Sequence, residues 1–166
     1  CWSHCIDLVH LFAGDLETIS ALQGGREYTG AGMTAADMAV TYTSGEGAAG
    51  TLIGTAGTAW QYPLFELSFT FEGGRIHMRD LDGELEVLDT GRREHERIAE
   101  VRDASRWQSY GASFEKAVGA YLDSVLRNEE PPVPGRSGLQ ELQTEAAIRR
   151  SMRERRPVKV QEEFTL

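Results

Sequence analysis

Phe65-Glu66-Leu67-Ser68-Phe69-Thr70-Phe71-Glu72-Gly73-Gly74-Arg75-Ile76-His77-Met78 alternates apolar and polar residues at a period of two, then breaks at a glycine pair. Alternation of this kind puts Phe65, Leu67, Phe69 and Phe71 on one face of a strand and Glu66, Ser68, Thr70 and Glu72 on the other. Gly73-Gly74 permits a tight hairpin, so residues 75–78 return antiparallel. Downstream, Asp82-Gly83 signals a second hairpin into residues 85–88, and a last strand is predicted over residues 97–101. Upstream, Met38, Val40 and Tyr42 alternate, Ser44-Gly45-Glu46-Gly47 reads as a turn, and residues 50–58 return as a strand of small and β-branched residues. The connections are too short for crossover helices, which makes the sheet mainly antiparallel.

The flanks have a different period. Residues 4–13 read as a helix, apolar nearly all round and therefore buried, with Gly14 as its stop. Residues 16–22 read as a strand with Leu16, Thr18, Ser20 and Leu22 on one face, and residues 24–32 as a loop. After Trp107, Tyr110, Phe114, Ala117, Val118, Tyr121, Leu122, Val125 and Leu126 form one apolar helical stripe. Pro131-Pro132-Val133-Pro134-Gly135 ends that helix. Ser137 caps the next one, with Glu141 in its first turn and Leu139, Leu142 and Ala146 on its buried side. Pro157 stops it, and residues 158–160 add a short edge strand. The fold class is α+β: an open, mainly antiparallel β-sheet with helices packed on one face, forming a single domain over residues 1–166. The uncovered sheet face is expected to meet a second copy, giving a homo-oligomer.

Composition narrows the function. With 166 residues, 40% of them hydrophobic and 26% charged, the chain has enough material for one globular core. A formal net charge of -9 argues against a nucleic-acid binder, and the cluster Arg149, Arg150, Arg153, Arg155, Arg156 reads as a solvated helix end. No apolar run is long enough for a membrane span, and the first residues are not a signal peptide. Cys1 and Cys5 are the only cysteines, and without further ligands at a standard spacing no metal site is expected. They read as reduced thiols of a cytoplasmic protein.

The residues themselves supply little catalytic machinery. No G-x-G-x-x-G follows a strand, so no cofactor-binding residues are expected on this chain, and no G-x-S-x-G elbow is present. Of the histidines, His95 falls in the charged run 92–97 and reads as part of an exposed turn, while His77 reads as sheet packing. His10 lies six residues beyond His4, toward another face of the helix. On residue pattern alone His4 stands between a helix-start residue satisfied by backbone and a proton acceptor.

The order of several short motifs resembles a known family. His4-Cys5-Ile6-Asp7-Leu8-Val9-His10-Leu11-Phe12-Ala13-Gly14 resembles the His-x-Ile-Asp-Leu … Gly segment of the Gfo/Idh/MocA oxidoreductases, named for glucose–fructose oxidoreductase, inositol dehydrogenase and a rhizopine-catabolism protein. Asp37, Ala39, Gly47 and Gly50 are similar to the family's Asp-x-Ala … Gly-x-x-Gly strand pair, and Phe71-Glu72-Gly73-Gly74-Arg75-Ile76 to its next hairpin. Residues 110–114, Pro131 to Pro134, Leu139 and residues 146–151 resemble its closing helices.

The resemblance implies an N-terminal Rossmann domain that binds NAD or NADP and a catalytic group of three: a lysine from that domain, and an Asp-x-x-x-His pair opening the second domain. His4 matches the histidine and is the catalytic candidate, whereas the matching aspartate would precede Cys1. The lack of an initiator Met, together with an opening inside a helix, leads to the expectation that the chain is the C-terminal half of a longer protein. Trp2, where many members have glycine, and Tyr62 are candidate substrate contacts. Oxidising a secondary alcohol needs a group that takes the hydroxyl proton as hydride leaves, a role suited to histidine. The expected role is thus the substrate-side domain of an NAD(P)-dependent oxidoreductase acting on a sugar or polyol. The rivals are a non-enzymatic sugar-binding or dimerisation module of the same fold and an unrelated α+β lyase or isomerase domain.

Overall fold

The computed structural model describes residues 2–30, 33–56, 66–80, 83–99 and 106–164. They form two compact units, one from residues 1–61 and 136–166, the other from residues 62–135. The α+β class and the antiparallel pairing hold throughout. Among the described residues the strands divide into two four-stranded sheets.

The first unit opens with helix α1 (Trp2–Ala13). Ile6, Val9 and Ala13 are buried at helical spacing, whereas Leu11 and Phe12 are exposed, so only one face of this apolar helix is covered. Gly14 takes φ +73 and donates its N–H to the His10 carbonyl at 3.0 Å, the left-handed stop that its sequence position promised. Strands β1 (Leu16–Gly30), β2 (Met33–Ser44) and β3 (Ala49–Gly54) follow as an antiparallel meander.

Of residues 24–32, expected as loop, 24–30 continue the strand and 31–32 lie outside the described residues; the register shifts between Gln23 and Glu27, so Gly24 and Gly25 are absorbed as an irregularity of the ladder. A second shift between Leu16 and Thr18 corrects the expected facing. Leu16, Ile19 and Ala21 are buried and Leu22 is 68% exposed, because one extra residue reverses the inward set of a strand. Ile19 pairs with Tyr42, and Tyr42 with Gly50; Ala21 pairs with Val40, and Val40 with Leu52. These two rows are the buried face. A Cβ at Gly50 would fall onto the Tyr42 ring, which explains glycine there.

Helix α3 (Gly135–Glu154), short strand β8 (Val158–Lys159) and helix α4 (Val160–Glu163) complete this unit. The expected edge strand forms one residue shorter, since Val160 opens α4: β8 pairs with β1 through Thr18–Lys159 and Ile19–Val158. The buried side of α3 is not. Gln143, Thr144, Ala147, Ile148 and Ser151 face inward, while Leu139 and Leu142 are exposed. Three of the five buried residues are polar, so apolar spacing selected the wrong stripe. Each has a partner: Gln143 donates to the Phe164 carbonyl, Thr144 meets His10, and Ser151 Oγ accepts the Ala21 N–H at 2.9 Å and donates to the Arg156 carbonyl at 2.6 Å. Helix α3 begins two residues before Ser137.

The second unit holds β4 (Glu66–Phe71), β5 (Gly74–Arg79), β6 (Glu84–Asp89) and β7 (Glu94–Ala99), paired in that order, and helix α2 (Arg106–Arg127). Register puts Leu67, Phe69, Ile76, Met78, Leu85, Val87 and Ile98 on one face. The other face carries Glu66, His77, Arg79, Glu84, Glu86 and Arg97. It is laced by ion pairs, Arg79–Glu66 at 3.3 Å and Arg97–Glu86 at 3.2 Å among them. The last strand starts earlier than expected, so His95 sits in β7 opposite Leu88 and not in a turn. The apolar stripe of α2 is exposed, from Trp107 at 74% to Leu126 at 84%. Trp107, Tyr110 and Phe114 stack edge to face along it.

Candidate functional site

His4 lies in the first turn of α1 with its side chain exposed. Asp7 is one turn on, also exposed; Cys5 between them is a free, half-buried thiol whose pKa burial pushes up. Helix α1 meets α3 through His10, which faces away from His4. Nε2 of His10 and the hydroxyl of fully buried Thr144 share a hydrogen bond of 2.9 Å, which pins α1 to α3. Glu141, one turn before Thr144, is half-buried, and its Oε1 is buried without a hydrogen-bond partner among the described residues. Burial first, then the charges of Glu145 and Asp7, raise the Glu141 carboxyl above its ordinary range, while His4 pulls it back down. His4, Asp7 and Glu141 therefore share one electrostatic neighbourhood.

His10 belongs to the interior side of the same helix. Burial lowers its pKa, opposed in part by Asp15, by the Gly14 backbone bond and by Asp7, and its Nδ1 is buried without a partner among the described residues. Sequence reading had sent His10 to another face than His4, which is where it stands, but nothing local signalled Thr144 or Glu141. Of the candidate substrate contacts, Trp2 opens α1 and Tyr62 lies outside the described residues. The Asp37 motif is structural: its Oδ1 accepts the Ala56 N–H at 2.6 Å and ties the end of β3 to β2.

Among the described residues no glycine-rich turn leads from a strand into a helix. The glycine-rich segments serve strands and hairpins, and α3 follows Pro134 and not a strand with a glycine-rich turn. Among the described residues no three His, Cys, Asp or Glu side chains are placed to hold a metal ion, and no helix is long and apolar enough to cross a membrane. What His4 offers chemically is an exposed imidazole in the first turn of α1, a group able to exchange a proton near neutral pH.

Residues 1–160 match the family described as "Oxidoreductase family, C-terminal alpha/beta domain". No curated protein matches the chain. Among solved structures it is similar to an oxidoreductase from Agrobacterium radiobacter in complex with NAD+, L-tartaric acid and magnesium. That likeness has TM-score 0.79 and 17% identity, and covers 98% of this chain and 48% of that one. A levoglucosan dehydrogenase in complex with NADH and L-sorbose gives TM-score 0.75 at 15% identity, over 95% of this chain and 48% of that one. The WlbA dehydrogenase from Bordetella pertussis, in complex with NADH and UDP-GlcNAcA, gives 0.61 at 22%, over 95% and 46%. At these identities the likeness shows the fold. The chain spans about half the length of the structures it matches.

Proposed function

Because the chain belongs to the Gfo/Idh/MocA oxidoreductases as their C-terminal alpha/beta domain, we propose that it is the substrate-side domain of an NAD(P)-dependent oxidoreductase acting on a sugar, polyol or related hydroxy compound. The observation that carries this reading is the position of His4: exposed at the head of α1, in the segment that resembles the family's histidine motif. The neighbours' ligands support the substrate class, since each complex pairs NAD+ or NADH with a hydroxy acid or a sugar compound. The cofactor would be held by the part of the protein outside this chain. Residues here are left with binding the substrate and handling its proton: the imidazole of His4 takes the hydroxyl proton. Trp2 and Tyr62 remain candidate substrate contacts.

The test is His4→Ala in the full-length protein. Loss of a general base should lower kcat by roughly a hundredfold or more with cofactor binding and melting temperature intact. A lowered melting temperature with unchanged kcat would show a structural histidine and refute its catalytic role.

The same reading includes self-association through the outer face of β1–β3. There Thr41, Thr43 and Thr51 are exposed together with Leu22 and Ile53, the last at 77%. The corresponding polar face of β4–β7 is laced with ion pairs and suits water better. Sedimentation at micromolar concentration should show a dimer or larger, and Ile53→Lys should shift it to monomer; a monomer in the unmodified protein would remove this part of the reading.

A further inference from the structure

From Trp107 to Arg127 every residue of α2 except Ser124 is exposed. Packing among the described residues therefore does not account for a helix whose stripe is this apolar. Gly111 sits on that stripe, one turn after Trp107 and one turn before Phe114. Glycine weakens a helix interior, and a Cβ built at Gly111 meets nothing within 4 Å. No described residue requires glycine there.

The order of residues along the stripe is self-complementary. Trp107, Tyr110 and Phe114 make its first half aromatic and stack edge to face. Val118, Leu122 and Val125 make its second half aliphatic, and all six are between 46% and 74% exposed. An antiparallel pairing centred on Lys116 sets Trp107 opposite Val125 of a second copy, Tyr110 opposite Leu122, and Phe114 opposite Val118. The same pairing sets Gly111 opposite Tyr121, where the missing side chain leaves room for the ring. Lys116 falls on the far side of the helix by the 3.6-residue period, so the two central charges do not meet.

We propose that the α2 stripe is a docking surface for α2 of a second copy, paired antiparallel about Lys116 and separate from the association read for β1–β3. The 22 residues of α2 span roughly 33 Å, and one helix laid on another over that length buries on the order of 1,000 Å² in total. An area of that size belongs to transient contacts, with half-association at roughly 100 µM.

Ile53→Lys removes the association through β1–β3, so α2 is tested alone in that background. Sedimentation between about 5 and 500 µM should run from monomer to dimer. Leu122→Lys, a charge in the seam, should hold the chain monomeric throughout. Gly111→Leu adds apolar surface where the single chain has open space, yet should weaken pairing by roughly tenfold or more, because the new side chain meets Tyr121 of the second copy. Both positions face open space in the single chain, so the melting temperature of the monomer should not fall. A monomer at every concentration would overturn the proposal and leave the stripe to the chain itself or to a different partner. Pairing that Gly111→Leu leaves unchanged or strengthens would overturn it as well, as the mark of unspecific apolar contact. The concentration series of Ile53→Lys alone decides whether copies associate away from β1–β3, whatever the folding of the two further variants.

Discussion

Nε2 of His10 meets the Thr144 hydroxyl at 2.9 Å across 134 positions of sequence, and the other ring nitrogen of His10 is buried with no partner among the described residues. The bond joins α3 to α1, the helix that presents His4, so the placement of α1 depends on it.

That histidine makes the first unit sensitive to acid. Burial, the largest cause, lowers the folded pKa of His10 below 6.5, so the unfolded chain binds the proton more readily. The stabilisation is complete above about pH 6.5 and declines as pH falls from there toward the folded value. Thermal melts between pH 7.5 and 5 should show the loss, and His10→Gln should show less of it. Equal slopes in the two proteins would place the acid sensitivity elsewhere.

Ser151 is expected to matter more than a serine on a helix usually does. Its buried hydroxyl satisfies the Ala21 N–H of β1 and the Arg156 carbonyl at once. Ser151→Ala leaves both unpaired and should cost about 1–3 kcal/mol. Urea unfolding measures it; a change below about 0.5 kcal/mol would mean that water replaces the hydroxyl.

Gly50→Ala should destabilise β2–β3 by roughly 1–3 kcal/mol, because the new methyl falls onto the Tyr42 ring. The clash involves Cζ and Cε1 as well as the hydroxyl, so Tyr42→Phe should not relieve it. Tyr42→Ala combined with Gly50→Ala should show less than additive loss, which a double-mutant cycle would detect.

Glu163 should resist protonation down to about pH 2. Arg156 is the main cause, donating to both carboxylate oxygens at 2.8 and 2.7 Å, with Arg150 adding a bond at 3.1 Å. A lowered folded value means that this contribution is present above about 4.5 and is lost as pH falls toward 2. The cluster is at the surface, so molar salt should move the carboxyl's titration midpoint up. Carbon-13 shifts of the carboxyl follow it, and Arg156→Gln should raise the midpoint further than salt does.

By itself the sequence determined the local repeats. Period two with a glycine pair at 73–74 specified the β4–β5 hairpin, Gly14 specified the end of α1, and the order of short motifs specified the family. These are legible because backbone periodicity and left-handed turns are set by neighbouring residues. Tertiary structure alone decided which residues of β1 point inward, since one irregularity between Leu16 and Thr18 shifts the inward set. It decided that polar Gln143, Thr144 and Ser151 form the buried side of α3, because burial of a polar group depends on a distant partner that no local pattern encodes. It also decided that the α2 stripe lies exposed, since periodicity reports that a face is apolar and not what covers it. The bond between His10 and Thr144 is of the same kind: one residue comes from α1 and the other from α3, and only the packing of those helices joins them.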